Sequence, residues 1–134
     1  MSDLTKLAGS KIAVIGGAGF VGSNLCKKLL NETLLAELII VDNLLSSDIV
    51  NVATESRVNF INGSIAHDTI IAQLPDDLNY VFHLACYHGN QSSIVSPLAD
   101  HENNLLTTLK LFDRLKGFSS LKKVVYAGAG CAAA

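Results

Sequence analysis

Val14-Ile15-Gly16-Gly17-Ala18-Gly19-Phe20-Val21-Gly22-Ser23 leaves an apolar run, turns on glycines and opens a stretch of helical spacing. Gly16, Gly19 and Gly22 form a GxxGxxG pattern. Such glycines serve a strand-to-helix turn in three ways. The first permits the tight turn, the second lets backbone amides approach a ligand without a Cβ in between, and the third lets helix and strand lie close. The bare N–H groups at the helix start then face any anion in front of them.

Glycine triplets also occur in tight turns that bind nothing, so the next strand supplies the discriminating residue. Asp42 ends the run Leu38–Val41, 20 residues beyond Gly22 (42 − 22). A carboxylate there can accept both hydroxyls of an adenosine ribose. It would repel the extra phosphate of NADP, and no arginine stands beside it, so NAD is the expected cofactor. The competing reading is that Asp42, with Asn43, only caps a loop.

Outward from this turn, apolar runs of strand length recur at Lys11–Ile15, Leu38–Val41, Val58–Ile61, Tyr80–Leu84 and Lys123–Tyr126. The intervening segments are long enough for crossovers, and right-handed connections turn a β-α-β-α pattern into a parallel sheet. The expectation is one α/β domain over residues 1–134, a doubly wound Rossmann-type sheet of strand order 3-2-1-4-5. The first helix is expected over Phe20–Leu30, with Val21, Leu25, Lys28 and Leu29 on one side and Asn31 closing it. Short helices are expected within Ser46–Ala53 and within Ala66–Leu74, the latter ending before Pro75. For the last helix, Ser96 can cap, Pro97 suits the first position, Leu98, Leu105, Leu109 and Phe112 repeat at helical spacing, and Gly117 stops it.

Composition narrows the partners. The 134 residues are 49% hydrophobic but 6% aromatic, which suits an aliphatic core of buried parallel strands. With a net charge of −2 and no basic run, nucleic acid and anionic membranes are not expected. Met1–Ser10 lacks the apolar stretch of a signal peptide and no later segment is long enough to span a bilayer, so a cytoplasmic protein is expected. Cys26, Cys86 and Cys131 have no metal-ligand spacing and an odd count, and are read as reduced, buried hydrophobes; no metal site is expected.

Together the segments resemble the extended short-chain dehydrogenases/reductases, specifically the NAD-dependent nucleotide-sugar epimerases and dehydratases. The likeness rests on Gly16–Ser23, Val41-Asp42-Asn43-Leu44, Phe60-Ile61-Asn62-Gly63-Ser64-Ile65, Phe82-His83-Leu84-Ala85, Pro97 through Glu102-Asn103-Asn104, and Lys123–Tyr126. The resemblance implies that Phe20 and Val21 flank the pyrophosphate, Asp42 and Asn43 hold the adenosine ribose, and Ser64 and Ile65 border the adenine. Ser64 departs from the family's usual aspartate and lacks its charge. Leu84, Ala85 and Cys86 would line the cofactor, with His88 beside the nicotinamide ribose. Asn103 matches a family asparagine near the cofactor. Asn103 and Asn104 also interrupt a good helix with poor helix formers, so their side chains are expected to do other work. His83 reads as a satisfied strand histidine.

The catalytic signature is missing. The family uses a tyrosine with a lysine four residues later, whereas Tyr80, Tyr87 and Tyr126 are followed at that distance by Leu84, Gln91 and Gly130. The family's hydroxyls after the fifth strand are replaced by Ala127-Gly128-Ala129-Gly130-Cys131. No catalytic residue is therefore assigned. The expectation is an NAD-binding domain that does not turn over alone and that meets a nucleotide sugar only if a carboxy-terminal part is supplied. The alternatives are a fragment of an active epimerase or dehydratase, and a non-catalytic or engineered scaffold. An uncovered fifth strand and a widened apolar stripe at Leu106, Leu111 and Leu115 suggest a homo-oligomer.

Overall fold

Ile12 and Val14 point to one side of their strand, Ala13 and Ile15 to the other, and all four are buried. That double burial is why the first two strands read as unbroken apolar runs instead of alternating ones. The computed structural model describes residues 3–87 and 90–128. Its strands are β1 (Lys11–Ile15), β2 (Glu37–Asp42), β3 (Val58–Asn62), β4 (Tyr80–His83) and β5 (Lys123–Tyr126). They pair in parallel in the order β3-β2-β1-β4-β5, as expected.

One face of the sheet packs on α1 (Phe20–Glu32) through Cys26, Leu29 and Leu30. The other packs on α2 (Asp68–Ile71) and α5 (Thr107–Leu115) through Ile71, Leu111 and Leu115. Lys110 ties those two helices together, donating from Nζ to the Ala66 carbonyl at 2.6 Å and pairing with Asp68 at 2.8 Å.

Local departures from the sequence reading have physical causes. α1 runs past Asn31 to Glu32, because Thr33 closes it with its hydroxyl, which donates to the Leu29 carbonyl at 2.5 Å. Arg57 then donates to the carbonyls of Leu30 and Thr33 at 2.9 and 3.1 Å, filling acceptors that a helix end leaves open. The buried side of α1 is Gly22, Ser23, Cys26, Leu29 and Leu30, while Val21 and Lys28 face outward. Ser46–Ala53 forms only a 3₁₀ turn, Ile49–Asn51, capped by Asp48. α3 (Asn90–Val95) was not foreseen.

The last helix begins as α4 (Pro97–Asp100), widens into a π-helical turn over His101–Leu106, and continues as α5. Pro97 takes the first position, but the Ser96 side chain makes no capping bond. Its buried face is Thr107, Leu111 and Leu115, not the expected row: Leu98 is 83%, Leu109 57% and Phe112 40% exposed. Cys26 is buried, and burial pushes its thiol up to about 12, whereas Cys86 is exposed. Cys131 lies outside the described residues. Among the described residues no cluster could hold a metal ion and no helix is long and apolar enough to cross a membrane.

Candidate functional site

The sheet changes direction at β1. The chain goes outward to β2 and β3 on one side, then crosses over to β4 on the other. At such a switch point the connections part beyond the carboxyl ends of the strands and leave a crevice. Here it is a cleft of about 380 Å³. The ladder holds to its edge, with the Gly16 amide donating to the Val41 carbonyl at 2.7 Å and that of Leu84 to Ile15 at 2.8 Å.

The glycines are not equivalent. Gly16 has φ +84°, and a Cβ there would lie 2.7 Å from the Ala85 nitrogen. A Cβ on Gly22 would lie 2.2 Å from the Gly16 carbonyl oxygen, so the protein's own packing requires glycine there. At Gly19 the nearest atom would be 3.4 Å away, and its backbone is ordinary extended chain (φ −70°, ψ 176°). The protein itself leaves room for a side chain at Gly19, and the open side is the cleft.

No side chain caps α1. Ser23 is the first residue whose amide finds a helical acceptor, the Gly19 carbonyl at 2.9 Å. The amides of Phe20, Val21 and Gly22 therefore have none within the helix. With no lysine or arginine among the described lining residues, an anion here would be held by backbone N–H groups and the helix dipole.

Asp42 is 8% exposed at the end of β2. Its Oδ2 accepts the Ala18 amide at 3.0 Å, and its Oδ1 accepts the Leu44 amide and the Ser47 hydroxyl, both at 2.9 Å. The loop-capping role weighed from sequence is thus real. It does not exhaust the carboxylate, which offers about four acceptor directions and lines the cleft. Asn43 also lines it, with its Oδ1 accepting the Leu45 amide at 3.0 Å. Leu44 between them sits at φ +57°.

The remaining expected residues converge on the same space. Gly16, Gly19, Phe20, Val21, Gly22, Ser64, Ile65, Leu84, Ala85, Cys86 and Asn103 all border it. Phe20 is 86% exposed, an apolar ring with nothing of the protein over it. The Ser64 Oγ accepts the Ala66 amide at 3.2 Å, leaving the hydroxyl proton free to donate where an aspartate could only accept. His88 lies outside the described residues. Ser47, Tyr87 and Thr107 line the cleft and were not singled out from sequence. Thr107, four positions after Asn103, could have been found by helical spacing; nothing in the sequence points to Ser47.

Asn104 does not line the cleft but braces it. Its Oδ1 accepts the Tyr87 amide at 2.7 Å, and its Nδ2 donates to the Tyr87 carbonyl at 3.3 Å and to Asp100 at 2.8 Å. Asn103 donates to the Ala99 carbonyl at 2.8 Å. His83 is buried at the end of β4, with Nε2 2.9 Å from the Thr108 hydroxyl and Nδ1 unpartnered, so only one of its nitrogens is satisfied. Burial holds its pKa below the usual histidine value.

Residues 12–134 match the family model described as the NAD dependent epimerase/dehydratase family. A crystal structure of the Bordetella bronchiseptica enzyme WbmF in complex with NAD+ superposes with a TM-score of 0.89 at 58% identity, over 94% of this chain and 38% of that one. The epimerase Mth375 of Methanothermobacter thermautotrophicus gives a TM-score of 0.84 at 35% identity, over 96% and 38%. A UDP-glucose 4-epimerase of Cyamopsis tetragonoloba is 31% identical over 91% of this chain and 37% of its own length. The chain therefore spans well under half of these relatives.

Proposed function

This chain belongs to the NAD-dependent epimerase/dehydratase family, and from that premise we propose that it is the cofactor-holding part of a nucleotide-sugar epimerase or dehydratase. The observation that carries the reading is the pairing, in one cleft, of an uncapped helix start at Gly19 with a nearly buried carboxylate at Asp42. The residues fit NAD. The amides of Phe20 and Val21 would meet the diphosphate, Asp42 the adenosine ribose, Ile65 the adenine, and Leu84 and Ala85 the nicotinamide end. When bound, the nicotinamide ring accepts and returns a hydride. Asp42, with no lysine or arginine among the described lining residues, disfavours a phosphate on the ribose 2′ oxygen.

These 134 residues hold no Tyr-x-x-x-Lys pair to carry the proton transfer that accompanies hydride movement. WbmF has been solved with NAD+ and UDP, which supports a uridine-linked sugar as substrate of a longer polypeptide. Replacing Asp42 by Asn keeps its volume and removes its charge. Charge-assisted hydrogen bonds contribute about 1.5–3 kcal/mol, so NAD affinity by calorimetry is expected to fall about tenfold or more, with a smaller change for NADP. Equal losses for both would refute the ribose assignment.

Self-association is part of the proposal. Leu111 and Leu115 of the stripe expected to associate are buried in the core, and it is Leu98, Leu105, Leu109 and Phe112 that leave an apolar row exposed. Sedimentation at micromolar concentration is expected to give a dimer or larger species; a monomer would overturn this.

A further inference from the structure

The helix that carries Asn103 and Asn104 is held in its widened form by two threonines. In a π turn the carbonyls lose their usual i+4 amide partners. The Thr107 hydroxyl donates to the Asn103 carbonyl at 2.8 Å, and that of Thr108 to the Asn104 carbonyl at 2.7 Å. A threonine hydroxyl has a single proton. With that of Thr108 committed to Asn104, the contact with His83 Nε2 at 2.9 Å requires the imidazole to donate. The Nε2–H tautomer of His83 fits this arrangement, and its buried Nδ1 is left with no partner.

The bonds form a circuit. β4 delivers His83; His83 fixes Thr108; Thr108 fixes the Asn104 backbone; the Asn104 amide grips both backbone groups of Tyr87, four residues beyond His83. Within those four residues lie Leu84, Ala85 and Cys86, which line the cleft. We propose that His83, acting through Thr108, is a positioning residue: it fixes the π turn so that Asn104 clamps the loop after β4 and Asn103 borders the cleft. The cofactor half of this inference rests on the NAD reading above; the clamp itself does not.

The test is amide hydrogen exchange by NMR on the ligand-free chain, in the wild type and in Thr108→Val, Thr108→Ser, His83→Phe and His83→Gln. Valine keeps the shape of threonine without the hydroxyl, and the glutamine amide can replace the Nε2–H donor. The Tyr87 amide is expected to exchange about tenfold faster or more in Thr108→Val and His83→Phe, and to recover in Thr108→Ser and His83→Gln. The Leu84 amide, bonded to Ile15, should stay protected throughout. Unchanged Tyr87 exchange in Thr108→Val would overturn the proposal, as would equal acceleration of Tyr87 and Leu84, which reports general loosening. Should His83→Phe fail to fold, the Thr108 pair decides alone. A parallel NADH fluorescence titration separates the two readings. Weaker binding by Thr108→Val, rescued by Thr108→Ser, supports the cofactor half, and equal affinities overturn it. A wild type that binds no NADH sinks the NAD reading, while the exchange data still decide the clamp.

Discussion

Gly19 and Gly22 stand three residues apart and answer to different constraints. A methyl group on Gly22 would collide with the Gly16 carbonyl at 2.2 Å and the Gly17 Cα at 2.8 Å, both backbone atoms that cannot step aside. Gly22→Ala is therefore expected to destabilise the fold by about 2 kcal/mol or more in urea unfolding. Gly19→Ala meets nothing closer than 3.4 Å and should leave stability within about 0.5 kcal/mol of wild type. Its methyl group would stand between the diphosphate and the helix amides, so NADH affinity should drop about tenfold or more. If Gly19→Ala bound NADH like the wild type, the glycine would have no role toward a ligand. The glycine turn and Asp42 were legible in the sequence because spacing alone specifies them. Ser47 was not, because its bond to Asp42 depends on how an irregular loop folds back.

At the scale of elements, strands were legible and helix faces less so. β1 and β2 are apolar on both sides, so no register error could hide them. The last helix carries two apolar stripes instead. Leu105, Leu109 and Phe112 form the more apolar one, and it faces outward. The stripe that packs is Asn103, Thr107, Leu111 and Leu115, whose first two members border the cleft and whose last two enter the core. Its amino-terminal end is polar because the sheet stops there and the cleft begins, so hydrophobic spacing marks only Leu111 and Leu115 of this stripe. Leu111→Ala should cost about 2–5 kcal/mol of stability, since Leu111 is 0% exposed. Leu109→Ala should stay within about 0.5 kcal/mol in the monomeric fold. The reverse order, measured by denaturant unfolding, would mean that the helix is rotated from the orientation described.

For the whole molecule, the strand order follows from right-handed crossovers, and the cleft follows from the strand order. The reversal of strand order at β1 is what places the crevice beyond β1 and β4. What handedness does not supply is the bracing of that crevice by Asn104, Thr108 and His83, which depends on a local change of helix pitch that no hydrophobic pattern encodes. The cleft is lined by the open amides of the helix start, by the Asp42 carboxylate bonded to the Ala18 amide of the same turn, and by apolar side chains. That distribution suits a dinucleotide whose negative charge is central and whose adenosine ribose carries free hydroxyls.

A crystal structure of this chain grown with NAD+ tests the central claim most directly. The account predicts a diphosphate against the Phe20 and Val21 amides and an adenosine ribose hydrogen-bonded to Asp42. A cleft that stays empty at saturating cofactor, or that is filled by the protein's own side chains, would contradict it.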